Sequence, residues 1–472
     1  MDTASSRDLF AGSAQGPRPF DYSGKRVLVV GMARSGVDAS QLLLRLSAVP
    51  LLNDRKDRAA LGPALDCFEN TPAEWHLGED PVTLLSQADA VLISPGVPID
   101  APVVLRAKEM GLYVLGELEF AFQQAQGTMI GITGTNGKTT TVTLLGEICK
   151  AAGRRTFVSG NIGDPLSGVA PQSRPGDMLV TEISSFQLES IDTFRPHVAA
   201  VLNVTEDHLI RHYTMENYIA VKRRVFENQT AEDFAVLNAD DPLCVGMARG
   251  LKAQVFWFSR LRQDLPGAFV KDGVITVSCQ GRETPVCPAK DVFIPGAHNL
   301  ENALAAVMMA FLLDIPAPVI AQTLRTFQGV EHRIEFVREV DGVRYINDSK
   351  GTNADSTVKA IDTMTAPTVL ILGGYDKHVS FRSLARHIVS SPQIEQVVVL
   401  GATRAQLVRE LSEAGFSRIY EADSFEEAVE AARSLARRGG NVLLSPACAS
   451  FDMFSCFEER GERFKELVRR LS

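Results

Sequence analysis

One stretch constrains the fold of this chain more than any other. Met129–Thr133 (MIGIT) is a short apolar run, Gly134-Thr135-Asn136-Gly137 follows it, and a helical pattern runs from Lys138 to Ala152 until Gly153 stops it. A buried strand, a glycine loop and a helix in that order place the helix against a parallel sheet, with the loop at the strand's C-terminal end. The same grammar appears earlier, where Arg26–Val30 (RVLVV) ends at Gly31 and an amphipathic stretch runs from Ser35 to Leu46. Val49–Leu52 and Ala90–Ser94 are further strand candidates there. Met178–Ile183 and Val198–Val204 are continuous apolar runs suited to a sheet covered on both faces. After Gly329-Val330, strands are expected at Val343–Ile346, Thr368–Leu372, Gln396–Leu400 and Asn441–Leu444, separated by helical patterns such as Ser424–Arg438.

These blocks predict an α/β protein of three domains. Residues 1–20 read as a flexible tail without the apolar segment of a secretion signal. Residues 21–118 read as a Rossmann-like N-terminal domain, 119–329 as a central P-loop ATPase-type domain, and 330–472 as a Rossmann-like C-terminal domain. A length of 472 residues agrees with this count. The formal charge of −9 argues against a general nucleic-acid or membrane-surface binder, which needs a basic face. Seven cysteines with no CxxC pair read as reduced thiols of a cytoplasmic protein. No apolar run approaches the roughly 18 residues of a membrane span.

The loop itself carries chemistry. Glycines let the backbone curl its N–H groups toward a polyphosphate, and the helix N-terminus adds its positive end. Gly134, Thr135, Asn136, Gly137, Lys138, Thr139 and Thr140 therefore read as an ATP site, with Lys138 reaching the β/γ-phosphates and the Thr139 hydroxyl ligating Mg²⁺. The spacing departs from G-x4-GK[ST], since Ile132 stands where the first glycine belongs. The earlier loop, Gly31-Met32-Ala33-Arg34-Ser35-Gly36, is a weaker signal. Ala33 replaces the middle glycine of a dinucleotide fingerprint, which argues against a dehydrogenase and leaves a tight strand-to-helix turn or a diphosphate contact open. Asn53-Asp54-Arg55 follows the run Val49–Leu52, where an acidic residue could hold a ribose hydroxyl, and Ser94-Pro95-Gly96-Val97 reads as a strand-end turn.

Downstream, Glu182 ends an apolar strand, where an anionic oxygen suits Mg²⁺. Asn203-Val204-Thr205-Glu206-Asp207-His208 ends another, with Arg211-His212 just after, and two acids and two histidines there offer a second metal ligand. Zinc is disfavoured, because no thiolate or HExxH partner lies near. Lys222, by its helical pattern alone, reads as a solvated lysine. His298-Asn299-Leu300-Glu301-Asn302 opens a long apolar helix to about Leu313, and Asn299 alone reads as a cap. The block Asn347-Asp348-Ser349-Lys350-Gly351-Thr352-Asn353 carries more hydrogen-bonding groups than one turn needs, and a ligand contact is expected there.

Taken together, GTNGKTT, GNIG (160–163), EISSFQLE (182–189), NVTEDHL (203–209), GAHNLENALAA (296–306), EHRIE (331–335), NDSKGTN and LLSPACASFDMF (443–454) resemble the Mur ligase family of peptidoglycan synthesis. The resemblance covers everything after the first 20 residues. NDSKGTN with SPACASFDMF resembles the member adding D-glutamate to UDP-N-acetylmuramoyl-L-alanine, by way of an acyl phosphate and with release of ADP and phosphate. A folylpolyglutamate synthase-like amide ligase and a non-ligating nucleotide-dependent switch are the rivals; the former should lack a UDP-binding domain ahead of the loop.

The resemblance implies roles residue by residue. Lys138, Asn161, His208 and Lys222 would be catalytic. Thr139 and Glu182 would hold one Mg²⁺, with His208 and a carbamylated Lys222 on a second. Asn299, Asn302, Arg333 and Asp348 would border the adenosine, and Ser35, Asp54, Arg55 and Gly96 the uridine diphosphate. Thr352, Lys377, Ser450 and Phe457 would form the D-glutamate pocket. The partners implied are these small molecules, acting on a cytoplasmic monomer whose last domain closes over ATP. Ile210 departs from the family's usual acid in DHLDRH.

Overall fold

The computed structural model describes residues 20–377 and 379–471. The tail expected over residues 1–20 lies outside them except for Phe20, whose ring stacks on Tyr113 at 5.6 Å. The chain forms three sheets. The first is wholly parallel, in the order β3-β2-β1-β4-β5, from β1 (Arg26–Val30), β2 (Val49–Asn53), β3 (Glu74–Trp75), β4 (Ala90–Ile93) and β5 (Tyr113–Gly116).

The second sheet has nine strands, in the order β14-β13-β12-β11-β10-β9-β6-β8-β7. They are β6 (Thr128–Thr133), β7 (Thr156–Gly160), β8 (Met178–Glu182), β9 (Val198–Val201), β10 (Phe234–Asn238), β11 (Gln254–Ser259), β12 (Gly267–Lys271), β13 (Val274–Cys279) and β14 (Arg282–Pro288). The third has six, in the order β15-β16-β20-β17-β18-β19, from β15 (Glu335–Val340), β16 (Val343–Asn347), β17 (Thr368–Gly373), β18 (Ile394–Leu400), β19 (Ile419–Glu421) and β20 (Asn441–Leu444).

The chain divides into two compact units: residues up to Val292 with Glu301–Arg325, and Phe293–Leu300 with residues from Thr326 on. The first unit holds the first two sheets and the second holds the third. In each the central strands are mostly apolar and buried on both faces, with polar residues such as Glu182 and Asn441 at their ends. Every residue of β4, β8, β9 and β20 is buried. Each buried Leu, Ile or Val there contributes about 1.5–3 kcal/mol.

The strands expected from sequence are present with ends shifted by a residue or two, apart from Val198–Val204. That strand stops at Val201: Leu202 N makes one last ladder bond to Thr133 O at 3.0 Å, and Asn203 beyond it bonds the phosphate loop, its O accepting from Thr135 N at 2.9 Å. The helix expected over Ser424–Arg438 spans Phe425–Leu435 with Ser424 as its N-cap. The antiparallel ribbon β12–β14 and the antiparallel β15 are additions to the sequence reading. The ribbon's turns fall at Asp272-Gly273 and Gln280-Gly281, each with both residues at positive φ, the geometry of tight hairpins. All seven cysteines are unpaired, and no helix among the described residues is long and apolar enough to cross a membrane.

Candidate active site

The phosphate loop joins β6 to α2 (Lys138–Ala151), the second long helix of the first unit after α1 (Arg34–Arg45). Gly137 precedes α2 at φ 82°, and a Cβ there would stand 2.2 Å from Asn302 Oδ1, so both backbone and space require glycine. The loop is braced by Asn203, whose Oδ1 accepts from Asn136 N at 2.8 Å and whose Nδ2 donates to Asn136 O at 3.1 Å. Lys138 Nζ donates to the carbonyls of Gly134 (2.9 Å) and Thr135 (2.7 Å).

Glu182, at the end of β8 and next to β6 in the sheet, faces this loop. Its Oε2 accepts from Thr139 Oγ1 at 2.8 Å, and its Oε1 from Asn161 Nδ2 at 2.8 Å. Thr139 and Glu182, expected to share one Mg²⁺, therefore meet, and Asn161, expected to be catalytic, lies against the same carboxylate. The hydroxyl and carboxylate form an all-oxygen donor pair, which fits a hard cation such as Mg²⁺.

Lys222 overturns its reading as a solvated lysine. It lies on α3 (Met215–Arg223) and is 1% exposed, with Nζ 4.6 Å from the Tyr218 ring centre and donating to Gly134 O at 2.9 Å. Burial, helped by the charge of Lys138, holds its pKa well below the usual lysine range. His208 lies at φ 54°, half-exposed, with its ring 4.9 Å from Phe186.

His212 departs from the expected metal role. It is buried, its Nε2 pairs with Ser185 Oγ at 2.9 Å, and burial with the neighbouring His208 lowers its pKa to about 4. Arg211 Nε donates to both oxygens of Glu189 at 3.1 Å, and its Nη2 donates to Val97 O at 2.9 Å. Ile210 beside it is 96% exposed.

Among the described residues, one group of His, Cys, Asp and Glu has the closeness of a metal cluster: Glu331, His332 and Glu462. It is an ion-pair network, since Lys465 Nζ bonds both glutamates, Glu462 at 2.7 Å. Glu182 and His208 lie outside it.

At the first sheet the switch point falls between β1 and β4. Asp54 follows β2 and fixes the Gly loop by accepting from Met32 N at 2.8 Å. Ser35 lies in the first turn of α1, while exposed Arg55 and Gly96 follow β2 and β4, so all four expected residues share this sheet edge. Ala33 is the exposed N-cap of α1.

In the second unit, Asp348 follows β16 directly and is buried. Desolvation raises its pKa to about 6 against the pull of Arg333, while Ser445 Oγ donates to it at 2.6 Å. Asn299 Nδ2 donates to Pro295 O at 2.7 Å, a bond inside its own turn. Lys377 Nζ donates to Thr352 O at 3.3 Å, which brings those two expected residues together. Phe457 O accepts from Ser349 Oγ at 2.8 Å, and the Phe457 ring lies under Lys350 Nζ at 5.2 Å. Ser450 is 1% exposed and its hydroxyl has no partner among the described residues. Sequence reasoning missed Asn203 as the brace of the loop and Arg460, which is buried beside Ser349.

The Mur ligase MurD-like N-terminal domain matches residues 25–116, the Mur ligase middle domain 132–310, and the Mur ligase glutamate ligase domain 332–448. The UDP-N-acetylmuramoylalanine–D-glutamate ligase of Pelotomaculum thermopropionicum is 47% identical over 96% of this chain and 99% of its own length. Those of Caldanaerobacter subterraneus (95% and 98%) and Clostridioides difficile (96% and 100%) are each 45% identical. In fold, the chain is similar to a pseudomurein peptide ligase type C from Methanothermus fervidus (TM-score 0.59, 20% identity, covering 95% of this chain and all of that one). It is also similar to UDP-N-acetylmuramate-alanine ligase from Thermotoga maritima (TM-score 0.58, 17% identity, 94% and 99%). By its sequence, over almost its whole length, the chain belongs to the Mur ligase family.

Proposed function

We propose that this chain is an ATP-dependent ligase that joins D-glutamate to UDP-N-acetylmuramoyl-L-alanine, the reaction its curated relatives are named for. The observation that carries the chemistry is Glu182 held between Thr139 and Asn161 beside Lys138. The substrate's terminal carboxylate attacks the γ-phosphorus of ATP, ADP leaves, and an acyl phosphate forms. The amine of D-glutamate then attacks the acyl carbon, phosphate leaves and the amine gives up a proton.

Lys138 and the loop N–H groups hold the phosphates, and the task throughout is to offset repulsion between anions in a cleft poor in water. Mg²⁺ bound at Thr139 and Glu182 would supply further charge compensation. For a second ion we assign His208 and a carbamylated Lys222. Burial lowers the Lys222 pKa and so favours the neutral amine, the form that adds carbon dioxide: an N–C bond forms, one proton leaves, and an amine becomes an oxygen ligand.

Ser35, Asp54, Arg55 and Gly96 are assigned to the uridine diphosphate, on the grounds that they share the sheet edge where α/β folds bind nucleotides. Asn302, beside Gly137, is assigned to the nucleoside end of ATP, as are Asn299, Arg333 and Asp348. Thr352, Lys377, Ser450 and Phe457 are assigned to D-glutamate, with Lys377 pairing a substrate carboxylate. Phosphate release from ATP, measured across a panel of amino acids with and without the UDP-muramoyl acceptor, tests the reading. Release is expected only with D-glutamate and acceptor together; release indifferent to both points to a nucleotide switch, and release with a folate acceptor points to the other amide ligase.

A further inference from the structure

The helix α4 (Phe457–Arg470) carries a side chain that the reaction above does not use. Arg460 is 1% exposed although its surroundings, FEERGERF, are those of a charged solvent face. Its guanidinium donates Nε to Ser349 Oγ at 3.0 Å, Nη2 to Ser349 O at 2.8 Å and Cys448 O at 3.1 Å, and Nη1 to Ala449 O at 3.2 Å. None of these acceptors is a carboxylate, and burial lowers the guanidinium pKa to about 10. A buried cation bonded only to neutral groups is a poor source of stability. What it does is tie two loops to one plane: the turn after β16 and the turn after β20.

Those loops hold the residues assigned to D-glutamate. Ser450 follows Ala449 directly, and its carbonyl accepts from Met453 N at 3.0 Å and Phe454 N at 2.8 Å, so its backbone is fixed. Its buried hydroxyl has no partner among the described residues. Ser349 is three residues before Thr352, and its hydroxyl reaches Phe457 O at 2.8 Å. Asp348, on the same turn, has anchors of its own: its N donates to Leu444 O at 2.7 Å and its carboxylate accepts from Ser445 Oγ and from Ile334 N at 3.2 Å. The Arg460 fork therefore bears on the amino-acid side of the turn. Helix α4 is seated deeply enough for this because Gly461 follows; a Cβ there would stand 2.2 Å from His332 Nδ1.

We propose that Arg460 is a positioning residue for the amino-acid substrate, setting the Cys448–Ser450 turn against the Ser349 turn so that the Ser450 hydroxyl and Thr352 address the same carboxylate-bearing ligand. This rests on the D-glutamate reading above. Lysine keeps the charge but is a single-point donor without the planar fork. In the full-length chain, Arg460→Lys is expected to raise KM for D-glutamate about ten-fold while KM for ATP and for the UDP-muramoyl acceptor moves less than about two-fold, as loss of one or two charge-assisted hydrogen bonds implies. Equal shifts in all three constants, or none, overturn the proposal. Should Arg460→Lys fail to fold, Ser349→Ala removes the Nε acceptor of the fork, together with the bond to Phe457 O, and leaves the Nη1 and Nη2 bonds in place; a rise in KM for D-glutamate without one for ATP supports the proposal, and parallel changes overturn it. A wild-type chain that does not use D-glutamate would refute the activity instead, whatever these variants do.

Discussion

At the scale of single residues, the site is built from charges whose surroundings change what they are. Lys138 stays near the loop carbonyls, where a cation faces incoming phosphate. Lys138→Ala is expected to abolish ligation with the thermal midpoint held within a few degrees; a folded variant with near-normal turnover would remove the ATP assignment. Lys222, enclosed by Tyr218 and the Gly134 carbonyl, serves a different purpose. Lys222→Ala should lose most activity and regain part of it with added short carboxylic acids such as acetate or formate. Wild-type rate without any rescue would return this residue to a purely packing role.

His212 gives a pH signature. Its pKa falls from 6.5 to about 4 in the folded chain, so between those values the unfolded chain holds the extra proton. Stability from this group is full above about pH 6.5 and declines as pH drops toward 4, by about 3 kcal/mol at most. His212→Gln should flatten that decline when urea unfolding is followed at pH 7 and pH 5; an unchanged slope would show that the ring does not titrate as its burial requires.

At the scale of elements, the deciding features are loops at strand ends. Gly137→Ala places a Cβ against Asn302 at a left-handed backbone position, a cost of about 1–2 kcal/mol. The expected result is a rise of ten-fold or more in KM for ATP with stability lowered by a similar free energy. Unaltered ATP kinetics would mean that the loop does not need this turn.

This is also the level at which the sequence is most legible. Parallel strands buried on both faces leave uninterrupted apolar runs, so β4, β6, β8 and β20 can be read directly, and Glu182 is placed by counting to the end of its run. The ribbon β12–β14 is harder, because its strands are half-exposed and mixed in polarity; the one strong local signal is Asp272-Gly273. Lys222 and Arg460 are illegible for another reason. Their helices carry the composition of solvated faces, and what buries them comes from Gly134, Ser349 and Cys448, which are distant in sequence. His212 misleads in the opposite direction, since a histidine four residues after His208 has the spacing of a ligand, while Ser185 and Glu189 claim its nitrogens.

At the scale of the whole molecule, one rule is used three times. Each sheet is mostly parallel, and the residues assigned to ligands gather where strands end: after β1, β2 and β4, after β6 and β8, and after β16, β17 and β20. Such an edge collects backbone N–H groups and helix N-termini, which suits anionic substrates. The net charge of −9 makes this local compensation necessary, since the chain as a whole repels the anions it is proposed to gather. A crystal soaked with a non-hydrolysable ATP analogue and Mg²⁺ probes this most directly. The triphosphate should lie over residues 134–139, with the metal between the Thr139 hydroxyl and the Glu182 carboxylate. A triphosphate bound anywhere else, with that loop unchanged, would contradict the proposed chemistry at its root.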